Sequence, residues 1–345
     1  MTVIEILRSA QERQASDIHI TVNSPVVLRI HGRLLPYNEQ VLKPSDTKGL
    51  AKQLLTEEQY EAFVKQGDLD FSYGIPGVAR FRINAYKQRG SVGLAIRIVP
   101  SRIPSMEELC LPEIIGQFAV KPQGLLLVTG PTGSGKSTTL ASIIDFLNRK
   151  QSAHIITLED PIEFIHDHKR SMVNQREIGL DTPSFSNGLR AALRQDPDIV
   201  LVGEMRDLET ISTAISAAET GHLVFATLHT ADGPQTIDRI IDVFPPGMQA
   251  QIRIQLASVL IGVVSQRLLP RRDGSGLTGA FEVLVNTPAV ANLIRSEKVY
   301  QIRSVMQTSR QQGMQTLELA LRELVQRGTV ALQDAKEAVI GFGEL

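Results

Sequence analysis

Leu125-Leu-Leu-Val-Thr129-Gly130-Pro-Thr-Gly-Ser-Gly135-Lys136-Ser137-Thr138 is the stretch on which the fold turns. Its first five residues make a continuous apolar run, the pattern of a strand buried on both faces, and the spacing of Leu140, Ile143, Ile144 and Leu147 beyond it is helical. Between the two lies Gly-x4-Gly-Lys-Ser, a phosphate-binding loop in the strand-to-helix context it requires. Its glycines let successive backbone N–H groups turn inward around phosphates, and the helix N-terminus adds a favourable dipole. Gly130, Pro131, Thr132, Gly133, Ser134, Gly135, Lys136, Ser137 and Thr138 are therefore the expected binding residues for ATP. Lys136 is expected to reach the β- and γ-phosphates, and the Ser137 hydroxyl to ligate Mg²⁺.

Downstream, apolar runs at residues 155–158, 199–202 and 223–228 alternate with amphipathic segments, which predicts an α/β domain with a parallel sheet covered on both faces. Ligands of such sheets sit beyond the carboxyl ends of the strands. The first run ends in Glu159-Asp160-Pro161-Ile162-Glu163, the second in Gly203-Glu204 and the third in His229. Hydrolysis needs a carboxylate to position water and others to hold hydrated Mg²⁺, so Glu204 and Glu163 are the expected catalytic acids, with Glu204 and Glu159 as further metal candidates. Gly203 stands where many P-loop enzymes carry an aspartate. His222 and His229 flank the third run at opposite ends, which argues against a shared metal site. His229 is expected to sense the γ-phosphate, and His222, counted among the nucleotide-binding residues, to transmit or organise.

Upstream, short β-type runs between residues 26 and 100, punctuated by Gly and Pro, suggest a small α+β domain over 1–100. Pro100, Pro104 and Pro112 mark a linker at 101–112, followed by the nucleotide-binding domain at 113–345, whose last eighty or so residues read as mostly helical. Arg80 and Arg82 lie two apart on one strand face, with Arg97 on a neighbouring run; Arg82 and Arg97 are the candidates for a charge-stabilising arginine supplied from another domain or subunit.

Composition narrows the classes. A net charge of −1, five tyrosines and no tryptophan speak against a nucleic-acid groove. A single cysteine, Cys110, excludes an internal disulfide and a Cys-pair zinc site and suits the cytoplasm. Residues 1–14 interleave Glu5, Arg8, Glu12 and Arg13 with apolar positions, an amphipathic helix and not a signal-peptide core. The longest nearly apolar stretch, residues 256–264, falls far short of the roughly 20 needed to span a bilayer, so membrane association is expected only through a partner.

The phosphate loop, Ile156-Thr-Leu-Glu-Asp-Pro-Ile-Glu163, Leu201-Val-Gly-Glu204-Met-Arg-Asp207 and the segment from Thr220-Gly-His222 to His229 resemble, in order and spacing, the motifs of the secretion ATPase superfamily. The likeness extends through Ala15-Ser-Asp-Ile-His19, Val173-Asn-Gln-Arg-Glu177 and Arg239-Ile-Ile-Asp-Val-Phe-Pro245. Compact length and the lack of a four-cysteine zinc module make the chain similar to the type IV pilus retraction ATPase (PilT) family within it. Ala289-Val-Ala-Asn-Leu-Ile-Arg-Ser296 is similar to that family's Ala-Ile-Arg-Asn-Leu-Ile-Arg-Glu motif, with Ala291 for an arginine and Ser296 for a glutamate. The resemblance implies a PAS-like first domain, a RecA-like ATPase domain with a helical C-terminal region, and a homo-hexamer working on an inner-membrane platform protein to drive retraction. Pilus extension and type II secretion are the alternatives it leaves open.

Overall fold

A computed structural model describes residues 2–30, 32–75, 78–99 and 102–339. The start of the expected linker, at Ser101, and the last six residues of the expected second domain lie outside the described residues. The chain forms two compact units, one of Met1–Arg102 with Glu163–Ile165 and one of Ile103–Ile162 with His166–Leu345.

The first unit opens with α1 (Val3–Glu12), started by a capping box in which Glu5 N donates to Thr2 Oγ1 and Thr2 N to Glu5 Oε2. Val3, Ile6, Leu7 and Ala10 recur at helical spacing and are all buried. There follow β1 (Ala15–Ile20), β2 (Val27–Ile30), β3 (Arg33–Pro36), α2 (Pro44–Lys52), α3 (Glu57–Gln66), β4 (Asp68–Ile75), β5 (Ala79–Gln88) and β6 (Ser91–Val99). The strands form an antiparallel sheet ordered β3-β2-β1-β6-β5-β4. On β5, Phe81, Ile83 and Ala85 enter the same core as α1, while Arg82 faces the other way and is exposed. The strand period of two produces that division.

The second unit runs α4 (Glu113–Ala119), β7 (Gly124–Thr129), α5 (Lys136–Lys150), β8 (His154–Glu159), β9 (Met172–Glu177), α6 (Phe185–Ala192), β10 (Ile199–Val202), α7 (Leu208–Glu219), β11 (Leu223–Leu228), α8 (Gly233–Asp242) and α9 (Pro246–Val259). It continues through β12 (Leu260–Pro270), β13 (Leu277–Val285), α10 (Pro288–Arg295), α11 (Ile302–Thr308), α12 (Leu317–Gln326) and α13 (Leu332–Val339). The sheet is ordered β13-β12-β7-β11-β10-β8-β9, parallel except between β12 and β13. Every residue of β7, β10 and β11 is buried. Leu125, Leu127, Val200, Val202, Val224 and Ala226 enter one core, whereas Leu126, Val128, Ile199, Leu201 and Phe225 enter the core on the other face. Burial on both sides is why the runs are apolar without alternation.

The C-terminal region begins less helically than its pattern suggests. The apolar stretch at 256–264 is shared between the end of α9 and the start of β12, which then pairs with β13 before α10 begins. Periodicity does not separate a buried helix from a buried strand over so short a run.

Candidate functional site

The phosphate loop leaves β7 with positive φ at Gly130, Gly133 and Gly135, so backbone N–H groups are free to turn inward. Gly130 is the tightest position: a Cβ there would lie 2.4 Å from Gln266 O and 2.6 Å from Ser134 Oγ. The loop is braced from β12, where Gln266 Nε2 donates to Ser134 O at 2.6 Å and Thr129 Oγ1 to Ser265 Oγ at 2.8 Å. Lys136 is buried, its Nζ donating to Gly130 O at 2.8 Å and Pro131 O at 3.0 Å. A desolvated ammonium held in a ring of main chain, beside a buried Ser134 hydroxyl lacking a partner, is chemistry that fits a phosphate group.

β11 lies next to β7, with Leu228 level with Thr129, and β10 lies next to β11. His229 therefore stands one strand from the loop and Glu204 two. His229 Nε2 is 3.3 Å from Glu204 Oε2, and Arg206 Nε is 2.7 Å from Glu204 Oε1. The carboxylate is largely buried, while the Arg206 side chain is 73% exposed, so the guanidinium reaches it from the solvent side. Gly203 occupies a crowded position. Its N–H donates to Leu158 O at 2.7 Å and its carbonyl accepts from the Thr227 hydroxyl. A Cβ there would sit 3.0 Å from Leu158 O and 3.3 Å from Glu159 Cα, which leaves no comfortable room for an aspartate.

The remaining expected residues divide. Glu159 ends β8, a further strand beyond β10, about 14 Å across the sheet from β7 at the usual strand spacing. Its Oε1 accepts from Thr157 Oγ1 at 2.6 Å and Gln175 Nε2 at 3.0 Å. Among the described residues no three His, Cys, Asp or Glu side chains gather as a metal site. Glu163, expected beside the loop, groups with the first unit, as do Arg82 and Arg97. Those two arginines are cross-strand partners, and Arg97 Nε is 3.1 Å from Asp17 Oδ1. Burial would raise the Asp17 carboxyl, but the Ser16 hydroxyl and Arg97 guanidinium bring it below its ordinary value.

His222 stands away from the loop within this unit. It precedes the amino end of β11, at the opposite end of the sheet from the loop, and its Nδ1 lies 3.0 Å from Ala217 O near the end of α7. In this unit its neighbours are those of a helix terminus.

Sequence reasoning left out three contributors. Arg206 carries a signal only in hindsight, two residues after Glu204 in a motif already quoted; Ser265 and Gln266 carry none, because they approach the loop from a strand whose pairing the sequence does not reveal.

A family model described as "Type II/IV secretion system protein" matches residues 1–337. The type IV pilus retraction ATPase PilT of Pseudomonas aeruginosa is 46% identical over 98% of this chain and 98% of its own length. A twitching motility protein of Neisseria gonorrhoeae is 45% identical over 97% of this chain and 90% of its own. A crystal structure of the pilus retraction motor PilT with bound ADP superposes with a TM-score of 0.92 at 49% identity, covering 98% of this chain and 97% of that one. With its loop, its carboxylate and its histidine on adjoining strand ends, the chain belongs to the type II/IV secretion system family as an ATPase of the PilT retraction branch.

Proposed function

We propose that this chain hydrolyses ATP with Mg²⁺ as a subunit of a hexameric motor that powers type IV pilus retraction, working in the cytoplasm on an inner-membrane platform protein. The observation that carries the reading is the Glu204 carboxylate, held by His229 at 3.3 Å and Arg206 at 2.7 Å, two strands from the phosphate loop.

In this reading Lys136 and the loop amides take the phosphate charge, and Glu204 orients the attacking water and accepts its proton. His229 and Arg206 each hold one oxygen of that carboxylate and so fix its orientation. Bound Mg²⁺ would neutralise charge on the phosphates. Ser137 and Glu204 would hold it, with Glu159, whose Oε1 accepts from Thr157 and Gln175, as a further candidate. Glu163, Arg82 and Arg97 are proposed to act toward the nucleotide from a first unit, the arginines by stabilising charge that develops in phosphoryl transfer. No helix among the described residues is long and apolar enough to cross a membrane.

The retraction assignment rests on the named relatives, and one local feature favours the rival reading of an extension or export motor. Ala291 is buried on α10, and the acid that follows the motif is Glu297, paired with Arg253 at 3.3 Å. Two of the retraction motif's three charges are therefore absent, and Arg295 keeps the third. Imaging labelled pili on cells lacking the gene, restored with wild type or Glu204→Ala, separates the readings. Pili that persist without retracting until active protein returns are the expected result; pili that disappear in its absence would identify an assembly motor.

A further inference from the structure

We propose that Glu282 is a positioning residue for the hydrolytic centre, anchoring the turn that carries His229 to the sheet. The inference rests on the reading of His229 given above. Glu282 lies on β13, is 7% exposed, and belongs to no motif of the nucleotide site. Its Oε1 accepts from Gly233 N, the first amide of α8, at 2.9 Å.

Only Thr230, Ala231 and Asp232 separate His229 from Gly233. That short turn is also tied to its own helix. Asp232 Oδ1 accepts from Gln235 N at 2.8 Å, Thr236 Oγ1 donates to Asp232 O at 2.6 Å, and the Thr230 and Thr236 hydroxyls lie 2.7 Å apart. These bonds make the turn and the start of α8 one body, and Glu282 fixes that body to the sheet. The fit is close, since a Cβ on Gly233 would meet Leu284 Cδ2 at 3.0 Å.

The anchor is in register with the phosphate loop. Glu282 pairs with Ser265 across β13 and β12, and Ser265 with Thr129 across β12 and β7. One row of the sheet thus runs from the residue before Gly130 to the residue that holds the far end of the His229 turn.

The charged surroundings come from three helices: Asp232 caps α8, while Glu318 of α12 is paired with Arg303 of α11. Burial pushes the Glu282 carboxyl up to about 7, against hydrogen bonds from the Gly233 and Leu317 amides, with Asp232 and Glu318 raising it further. An ionised acceptor binds an amide more strongly than a neutral one, so the anchor tightens as the group loses its proton.

The test is steady-state ATP hydrolysis by the full chain from pH 6 to 8.5, with kcat and KM for wild type, Glu282→Gln, Glu282→Leu, His229→Ala and the Glu282→Leu/His229→Ala double variant. Glu282→Leu should lower kcat on the order of tenfold while KM moves by less than about twofold, as misplacement of a catalytic group does. Glu282→Gln keeps an acceptor for the Gly233 amide, and should recover most of the rate with a flatter pH profile. In the His229→Ala background the leucine substitution should add little, because coupled residues are not additive. Wild-type kcat in folded Glu282→Leu, losses that multiply in the double variant, or a wild-type pH profile in Glu282→Gln would each overturn the proposal. Should the leucine variant not fold, the glutamine profile decides alone. Full turnover in His229→Ala would remove the reading of His229 and this inference with it; a loss there with none at Glu282 removes only the inference.

Discussion

The two histidines that bracket β11 sit at opposite ends of one strand and in opposite chemistry. At the carboxyl end, His229 touches the Glu204 carboxylate. At the amino end, His222 Nδ1 lies 3.0 Å from Ala217 O, and its backbone carbonyl accepts from Gly124 N at 3.0 Å. The contrast follows from the direction of the chain. At carboxyl ends of parallel strands helices begin, presenting N–H groups and positive dipole ends to anions; at amino ends helices finish, presenting carbonyls that an imidazole N–H can satisfy. The same residue type therefore meets a carboxylate at one end and a helix terminus at the other.

The strongest way to sharpen that contrast is at the carboxyl end. Lys136→Ala should weaken binding of a fluorescent ATP analogue severely, because the buried ammonium is the loop's own positive charge. Glu204→Ala should leave that binding in place while kcat falls on the order of a hundred- to ten-thousandfold, the usual worth of a positioned general base. Normal steady-state turnover in the Glu204 variant would break the assignment of that end. A smaller effect is expected for His229→Ala, on the order of tenfold in kcat with nucleotide affinity kept, since it acts through the carboxylate it holds.

Independent of nucleotide, and read in stability and not in turnover, is a pH signature of two buried groups. Burial lowers the His166 imidazole to about 4, so below its ordinary 6.5 the unfolded chain binds a proton that the folded one does not, and stability falls with pH from 6.5 toward 4. Glu282, raised from 4.5 to about 7, works the other way: the folded chain keeps the proton, and stability falls as pH rises from 4.5 through 7. Between 4.5 and 6.5 the two slopes oppose each other. Denaturant midpoints measured across that window should rise with pH in Glu282→Gln and fall with pH in His166→Gln, by up to about 3 kcal/mol of stability. Unchanged slopes in both variants would show that neither group is desolvated as described.

The smallest effect belongs to the amino end. His222→Ala should cost about 1 kcal/mol of stability through the lost hydrogen bond to the end of α7, with turnover within about twofold of wild type. A loss of turnover matching that of His229→Ala would erase the distinction between the two ends.

Local pattern made much of this chain legible. The phosphate loop needs only consecutive residues, and β7, β8, β10 and β11 announce themselves because burial on both faces demands unbroken apolar runs. The amphipathic start of the chain likewise becomes α1, since its four buried positions lie at helical spacing. Tertiary structure decided what depends on strand order. It brought Glu204 and His229, 25 residues apart, into contact, and set Gln266 and Ser265 against the loop from 132 and 136 residues beyond their partners. It turned the apolar stretch at 256–264 into a helix end and a strand, grouped Glu163 with the first unit, and sent His222 to the far end of the sheet. Periodicity records which face of an element is buried and carries no information about which element lies beside it; that neighbour, chosen only when the sheet assembles, determines what each polar side chain meets.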